Sequence, residues 1–349
     1  MQPGELRQIA RTLSTVENRA GGYERILADA YRQPRWADVI GITGPPGAGK
    51  STLVDALTAH WAQAGMRVAV LAVDPSSPYS GGAVLGDRIR RTRSGGFDNT
   101  YFRSLSARGH VGGLSETATD LAAVLSLFGF ARVIVETVGA GQSDIEIQST
   151  ADCTVVVSVP GLGDGVQASK AGMMEIGDIF AVNKADLPGA DLAARTIEGA
   201  LAAAYMGNPG INAVNRRAQP APPAYTVTPG IAALMRRHGD MARDDSVWVP
   251  PVIAVAATEN RHIDRLAETV QNFLDWSEGS GRRARRSRER AYAQMMRALS
   301  TMLLAPYARE PGAEQWPAAV EPWIERIAKG EASPLEAARA LLDRTRSCP

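Results

Sequence analysis

Residues 44–52 read Gly-Pro-Pro-Gly-Ala-Gly-Lys-Ser-Thr and come just after the apolar run Val39-Ile40-Gly41-Ile42. They match the phosphate-loop pattern, in which a glycine and four further residues precede Gly-Lys-Ser or Gly-Lys-Thr. Glycines let backbone N–H groups turn inward around phosphate oxygens, and a helix beginning near Lys50 directs its positive end at the same anion. The stretch therefore predicts a strand, a phosphate-binding loop and a helix, in that order.

The residues of the loop have different predicted roles. The Lys50 ammonium is expected to reach the β- and γ-phosphates, and the Ser51 hydroxyl to hold Mg²⁺. The alternative, a chance glycine turn, is disfavoured because every fixed position and both flanks match. The predicted nucleotide-binding residues of the loop are Gly44, Pro45, Pro46, Gly47, Ala48, Gly49, Lys50, Ser51 and Thr52.

A second motif concerns the base. Asn183-Lys184-Ala185-Asp186 follows the strand-like run 179–182. The Asp186 carboxylate can accept from the N1–H and 2-amino donors of guanine, whereas adenine would leave the buried charge unpaired. We expect Asn183 to meet the base N7 and the Lys184 stem to cover the ring. A helix cap is the plainer reading of this tetrapeptide, but after a phosphate loop the motif predicts GTP or GDP as the ligand.

Alternating strand and helix patterns indicate the fold. Helical stretches 51–64, 116–128 and 190–205 separate strand-like runs that are almost entirely apolar, as expected for strands covered on both faces. The runs are 38–43, 67–73, 132–138, 153–159, 179–183 and 251–256. We predict an α/β fold: a mostly parallel P-loop NTPase sheet with helices on both faces, plus helical N- and C-terminal extensions.

The chain is predicted to have three segments: an N-terminal helical arm (1–35), a GTPase domain (36–277) and a C-terminal helical extension (278–349) that packs either on the core or on a second subunit. Residues 5–33 look helical, and 207–230 are interpreted as a surface loop or insertion because they are rich in Pro, Asn and Gly. A hinge is expected at Glu278-Gly279-Ser280-Gly281. The arginines that follow, between 282 and 290, are interpreted as a solvated helix face rather than a nucleic-acid surface, because no aromatic residues are interleaved with them.

Composition sets broad limits. The 349 residues are 45% apolar and carry a net charge of +1, so bulk charge does not indicate nucleic acid or membrane as a partner. The two cysteines do not suggest a disulfide framework, which fits a reducing cytoplasm. We find no signal-peptide core and no apolar run of about 18 residues, so a membrane span is not expected.

Acidic residues follow several predicted strands at the edge where the phosphate loop lies. Mg²⁺ prefers about six oxygen ligands and keeps several waters. Asp74, Asp87 and Glu136 are candidates to hold those waters, with Ser51 as a direct ligand, and the Gly139 N–H is placed to sense the γ-phosphate. With Lys50, these residues form the predicted catalytic and metal set.

Hydrolysis by the isolated chain is expected to be slow. Ras-like proteins use a glutamine to orient the attacking water, but here Ala140 follows Gly139. Gln142 and Gln148 lie nearby in sequence without a clear placement. We therefore expect a partner to accelerate turnover by ordering the switch loops.

Taken together, these motifs resemble those of the MeaB/ArgK family of GTPases. The resemblance rests on the phosphate loop, Val73-Asp74-Pro75-Ser76-Ser77, Gly86-Asp87-Arg88, Glu136-Thr137-Val138-Gly139 with Gly141-Gln142-Ser143, and Asn183-Lys184-x-Asp186. Each motif occurs in several P-loop families, whereas their combination and order are specific. The similarity covers roughly residues 5–345.

This resemblance implies a homodimeric G-protein chaperone that gates cofactor delivery to an adenosylcobalamin-dependent acyl-CoA mutase and protects the enzyme. The mutase is methylmalonyl-CoA mutase or a related one. The family's magnesium and switch acids match Asp74, Asp87 and Glu136, and a third switch matches residues 161–170 with Lys170 as its coupling residue. One departure is the last guanine-contact loop, Val255-Ala256-Ala257-Thr258-Glu259-Asn260, which lacks the usual serine. Ala256, Ala257 and Thr258 remain candidates to contact the base through backbone N–H groups.

Two other functions stay open at this point. A metallochaperone-type GTPase would need Cys or His clusters, which Cys153 and Cys348 do not supply. An ArgK-like kinase or transport ATPase is disfavoured by the guanine motif at 183–186. A comparison of GTP and ATP affinity separates the kinase from the GTPase.

Overall fold

The fold is known from a computed structural model, which describes residues 1–33, 36–74, 97–106, 113–137, 147–161, 176–207, 248–304, 307, 317–329 and 331–346. The predictions for Asp87, for Gly139, for loop residues 162–170 and for residues 208–230 lie outside the described residues. The Asp74 backbone is described, but its side chain is not.

Within these ranges the strands form one seven-stranded parallel sheet of order β3-β2-β4-β1-β5-β6-β7. The strands are β1 (Asp38–Thr43), β2 (Val68–Asp74), β3 (Thr100–Ser106), β4 (Arg132–Glu136), β5 (Cys153–Ser158), β6 (Ile179–Val182) and β7 (Val252–Ala254). All six predicted strands are confirmed, with ends that differ by at most two residues. β2 lies inside the sheet between β3 and β4, as expected for an apolar strand ending in a carboxylate.

Helices cover both faces of the sheet. The α-helices of the described residues are α1 (Pro3–Glu17), α2 (Tyr23–Tyr31), α3 (Lys50–Gln63), α4 (Gly113–Leu127), α5 (Ala190–Gly207), α6 (Ile263–Gly279), α7 (Arg282–Leu304), α8 (Glu321–Ala328) and α9 (Pro334–Arg346). α3 and α6 pack on one face of the sheet in one apolar cluster, and α1, α2 and α4 pack in a second cluster with the alternate residues of the strands. The predicted α/β class is therefore confirmed.

One strand, β3, was missed by the sequence analysis. β3 mixes polar and apolar residues instead of forming a continuous apolar run, because it lies at the edge of the sheet. Its sequence is Thr100-Tyr101-Phe102-Arg103-Ser104-Leu105-Ser106. Arg103 is used locally: its guanidinium pairs with Glu17 of α1. Burial lowers the pKa of Arg103, but the interactions with Glu17 and Tyr101 together outweigh burial, so the pKa of Arg103 is raised.

The N-terminal stretch predicted as one helix is two. α1 ends at Glu17 and α2 begins at Tyr23, and Gly22 between them has a φ of +90°, which a glycine adopts without strain. Ile9 and Leu13 of α1 are fully buried in the apolar cluster that α1, α2 and α4 form with the strands. The Tyr31 hydroxyl of α2 donates to Asp120 of α4 at 2.6 Å. Both helices thus belong to the core that covers one face of the sheet.

The prediction of a solvated arginine face is wrong for four of the arginines at the start of α7. Arg282 donates to Asp178 at 2.7 Å, Arg283 to Asp38 at 2.8 Å, Arg286 to Asp178 at 3.3 Å and Arg290 to Asp152 at 3.2 Å. Arg285 and Arg288 remain exposed. We call the four arginines and three aspartates the amino-edge clamp.

The clamp exists because the strands are parallel. Asp38 begins β1, Asp152 immediately precedes β5, and Asp178 immediately precedes β6. Neighbouring parallel strands begin at the same edge, so the three carboxylates converge there, opposite the edge that carries the phosphate loop. Burial works against the charge of Arg283, but Asp152 and Asp38 outweigh it and raise the pKa of Arg283.

By its contacts the chain divides into two compact units, Met1–Arg290 and Ala291–Pro349. The second unit holds the end of α7 together with α8 and α9. In α9 the Glu336 N–H donates to the Ser333 hydroxyl at 3.2 Å while the Glu336 carboxylate accepts from the Ser333 N–H at 2.7 Å, which is a capping box. The predicted division into 1–35, 36–277 and 278–349 stays a prediction.

Candidate functional site

The phosphate loop connects β1 to α3 at the carboxyl edge of the sheet. Gly44 has a φ of +142°, and a Cβ there would lie 2.1 Å from the Val157 carbonyl oxygen of β5. A side chain would therefore force two strands apart. The loop begins where only glycine fits, and it is packed tightly enough to hold a fixed shape.

The end of the loop is equally constrained. Gly49 has a φ of +79°, and a Cβ on it would lie 2.5 Å from the Asn183 Nδ2 atom. That Nδ2 donates to the carbonyls of Ala48 at 2.9 Å and Gly49 at 3.3 Å. Asn183 is buried, so the guanine motif is tied directly to the phosphate loop by an internal hydrogen-bonded contact.

Lys50 lies at the first turn of α3 and is 6% exposed. Its ammonium donates to the Gly44 carbonyl at 2.7 Å and to the Pro45 carbonyl at 3.0 Å. The charge is therefore held against the beginning of the loop, at the positive end of the helix. A phosphate in this loop meets a helix N-terminus and a localised cation together.

Ser51 and Glu136 bring two oxygens together beside the loop. The Ser51 hydroxyl donates to the Glu136 Oε1 at 2.5 Å, joining α3 to the end of β4. Glu136 is buried. Oxygen donors of this kind suit Mg²⁺, so both residues fit their predicted role as metal-site residues.

Asp74 ends β2, next to β4. The register pairs Ala72 with Glu136, so the Asp74 backbone lies two residues further towards the carboxyl edge. Its strand thus ends beside the strand that carries Glu136, as the sequence predicted. Gly139 follows β4 by three residues, beyond the described part of that loop.

The guanine motif follows β6. Lys184 has a φ of +57°, and its Cε atom lies 3.9 Å from the position a Cβ on Gly49 would take, so its stem runs past the phosphate loop. The Ala185 N–H donates to the Val255 carbonyl at 3.0 Å, which fixes the motif to the end of β7. The Asp186 side chain is exposed.

The last predicted contact loop is a closed turn. Ala256 and Arg261 exchange backbone hydrogen bonds of 3.2 and 3.1 Å around the short 3₁₀ helix Ala257–Glu259. The Ala257 N–H donates to the Asn183 Oδ1 at 3.2 Å. Of the amides proposed to reach the base oxygen, Ala257 is therefore engaged within the protein, and Thr258 is the exposed candidate.

Sequence reasoning missed the role of Asn183 as a bridge among three loops. Its side chain contacts the phosphate loop through Nδ2 and the Ala257 turn through Oδ1. It also missed a buried pair of hydroxyls, Thr43 and Thr137, at the ends of β1 and β4. Proximity of strand ends was the only available signal, and it does not specify side-chain partners.

Two motifs far apart in sequence, one for phosphate and one for guanine, thus meet at one edge of the sheet. The family model described as methylmalonyl Co-A mutase-associated GTPase MeaB matches residues 9–310. The chain belongs to the MeaB family. It is therefore a P-loop GTPase, and guanine nucleotide binding follows from that membership.

Relatives of the MeaB-family chain are spread across distant organisms. A protein of Pyrococcus abyssi, whose name describes it provisionally as a GTPase, is 35% identical to this chain over 342 residues. The alignment covers 98% of this chain and 94% of the relative. The GTPase ArgK of Escherichia coli is 31% identical over 287 residues, covering 81% and 76%. The mitochondrial methylmalonic aciduria type A homolog of mouse is 29% identical over 306 residues, covering 87% and 64%.

A solved structure supports the fold. The crystal structure of a LAO/AO transport system kinase aligns over 99% of both chains with a TM-score of 0.58 at 22% identity. This likeness concerns the fold alone. In the described ranges, no helix combines the length and apolar character that crossing a bilayer requires.

Proposed function

We propose that this chain is a GTP-hydrolysing chaperone that gates adenosylcobalamin loading or protection of a cobalamin-dependent acyl-CoA mutase. The carrying observation is the Asn183 bridge, which joins the phosphate loop and the guanine motif into one site in a chain of the mutase-associated family. Methylmalonyl-CoA mutase or a related mutase is the proposed partner. A cytoplasmic setting is part of the proposal and agrees with the free, buried thiol of Cys153.

In the proposed mechanism the loop amides and the Lys50 ammonium bind the phosphates of GTP. Asp186 selects guanine, because its carboxylate accepts from two donors that adenine lacks. In-line attack by water then depends mainly on positioning and on neutralising the charge of the phosphoryl group. Slow turnover without partner remains our expectation, and a rate of several per second for the isolated protein contradicts it.

Mg²⁺ belongs to this proposal. Ser51 would ligate the ion directly, and Glu136, Asp74 and Asp87 would hold its waters. The 2.5 Å contact between Ser51 and Glu136 supports an oxygen site at the phosphate loop. The ion would neutralise charge on the β- and γ-phosphates.

The base-recognition step is tested by nucleotide preference. Wild-type protein should bind GDP far more tightly than ADP in calorimetry with magnesium present. Asp186→Asn should weaken GDP binding and strengthen xanthosine diphosphate binding, because an amide complements the xanthine carbonyl. Equal affinity of the wild type for GDP and ADP, or an unchanged preference in the variant, refutes the guanine assignment.

The partner is tested by recovery of a mutase from the native organism with tagged protein. We expect an acyl-CoA mutase to be retained with a non-hydrolysable GTP analogue or with GDP, in unequal amounts. Lys50→Ala, which should lose tight nucleotide binding, is the matched control and should abolish that inequality. Recovery of a mutase that ignores the nucleotide contradicts gating by GTP.

Homodimerisation through the second unit is also proposed. Six apolar side chains of α7 are between 39% and 70% exposed and recur at helical spacing: Tyr292, Met295, Met296, Leu299, Met302 and Leu303. Spacings of three and four residues form a seam that packs against another helix. A second copy of the chain is the proposed occupant.

Light scattering after size exclusion tests this seam. Leu299→Glu should shift the protein from dimer to monomer, since it places a charge in the centre of an apolar interface. Ala298→Glu, one position off the stripe, is the control and should leave the mass unchanged. A monomeric wild type overturns the dimer, while leaving the nucleotide site unaffected.

A further inference from the structure

Two buried threonine hydroxyls meet where β1 and β4 end. The Thr137 Oγ1 donates to the Thr43 Oγ1 at 3.0 Å, and the Thr137 N–H donates to the Ile42 carbonyl at 3.1 Å. Thr43 is 0% exposed and Thr137 is 2% exposed. A polar contact in a desolvated core constrains geometry, because its partners lose a hydrogen bond if they separate.

Each threonine stands beside a predicted nucleotide-binding element. Thr43 directly precedes Gly44, the fixed beginning of the phosphate loop. Thr137 follows Glu136, which accepts from Ser51, and precedes Gly139 by two residues. Thr137 is the last described residue before the loop that contains Gly139.

We propose that the Thr43–Thr137 pair is a positioning element for GTP hydrolysis. It sets the distance between the phosphate loop and the start of the loop predicted to sense the γ-phosphate. This inference rests on the proposed role of Gly139. Since only GTP carries the γ-phosphate, the pair acts on the hydrolysis step and has little influence on GDP affinity.

The test uses isosteric substitutions with a matched buried control. Thr137→Val keeps the shape and removes the hydroxyl, whereas Thr137→Ser keeps the hydroxyl. The control is Thr58→Val in α3: Thr58 is also 0% exposed, and its hydroxyl has no hydrogen-bond partner among the residues described. Single-turnover hydrolysis of bound GTP separates chemistry from product release.

We expect Thr137→Val to slow GTP hydrolysis about tenfold, which corresponds to ~1.4 kcal/mol in the activation free energy. The GDP affinity of this variant should stay within about twofold of wild type. Thr137→Ser should recover most of the rate, and Thr58→Val should hydrolyse GTP like the wild type. If the hydroxyls act as a pair, the double variant Thr43→Val/Thr137→Val should lose no more hydrolysis rate than the more affected of the two single variants.

Three results would overturn the inference. Hydrolysis of GTP by Thr137→Val at the wild-type rate excludes a positioning role. A joint loss of hydrolysis rate and GDP affinity in Thr137→Val, without recovery in Thr137→Ser, reduces the pair to a packing role. A wild type that binds GDP but never hydrolyses GTP removes the proposed function and this inference with it.

Discussion

Replacing Asp178 with asparagine is the sharpest test of how the amino edge of the sheet is held. Asp178 is 3% exposed and accepts from the Thr154 N–H at 2.9 Å, from Arg282 at 2.7 Å and from Arg286 at 3.3 Å. Asparagine keeps the shape and one acceptor oxygen. It removes the charge and places an amide donor either against Arg282 or against Arg286 and the Thr154 N–H, all of which are donors only.

The expected loss of stability is substantial but below the maximum for a buried pair. Removing one partner of a fully buried ion pair costs about 3–5 kcal/mol, because the other charge is left uncompensated. The Arg282 and Arg286 side chains are 21% and 15% exposed, so water recovers part of that cost, and Arg282 keeps its contacts over the Phe273 and Trp276 rings. We expect a loss of about 2–4 kcal/mol, or about 5–10 °C in the melting temperature.

Urea denaturation followed by tryptophan fluorescence is the appropriate assay. Trp248 donates to the Asp178 carbonyl at 2.7 Å and contacts Trp276 with ring centroids 5.6 Å apart, so the signal reports on this region. The control is Asp29→Asn, whose pair with Arg32 spans 3.6 Å with side chains 56% and 77% exposed. That variant should change the free energy of unfolding by about 0.5 kcal/mol or less.

Nucleotide affinity should not follow the stability change. Asp178 precedes β6 and Asn183 follows it, and five residues of strand span about 16 Å. GDP affinity should therefore stay within about twofold of wild type, a change of ~0.4 kcal/mol. If Asp178→Asn is as stable as the wild type, the clamp does not hold α7. If Asp178→Asn has normal stability but no longer binds GDP, the two edges of the sheet are coupled.

Further predictions follow from glycine and cysteine positions. Gly44→Ala should abolish GDP binding in calorimetry and lower the melting temperature, since its Cβ would clash with the Val157 carbonyl. The control is Gly47→Ala: Gly47 has a φ of +76° and no atom within 4 Å of its Cβ position, so the free energy of unfolding should fall by only about 1 kcal/mol. Equal losses of stability in the two variants refute the steric argument. Burial raises the pKa of the Cys153 thiol, so in a Cys348→Ser background iodoacetamide should modify Cys153 only as fast as the protein unfolds. Rapid labelling of the folded protein at pH 8 would show that β5 opens locally.

Much of the sheet could be predicted because most of its strands have both faces covered. β1, β4 and β5 are continuous apolar runs for that reason, and turn residues mark their ends. β3 did not show this pattern because it is an edge strand whose Arg103 serves an ion pair with α1. The break between α1 and α2 contains two residues of positive φ, Arg19 at +48° and Gly22 at +90°, which interrupt an otherwise helical pattern.

The candidate site was predictable as a list of residues but not as a set of contacts. The phosphate loop and guanine motif carry local sequence patterns, so their residues could be named. The Asn183 bridge to Ala48 joins residues 135 positions apart, and its amide serves the protein itself. Nothing in the tetrapeptide distinguishes an amide that faces the base from one that binds a neighbouring loop.

The arginine run was misjudged because its partners are also remote: Arg283 and Asp38 are 245 positions apart. The parallel arrangement that brings the carboxyl ends of neighbouring strands together at one edge also brings their amino ends together at the opposite edge. Aspartates stand at or just before the starts of β1, β5 and β6, which are adjacent in the sheet. Such carboxylates must meet at one edge, and burying them requires cationic partners. The arginine-rich helix after the last strand supplies them. Charges at strand starts should therefore be read together with charged helices elsewhere in the chain, just as charges at strand ends are read for ligands.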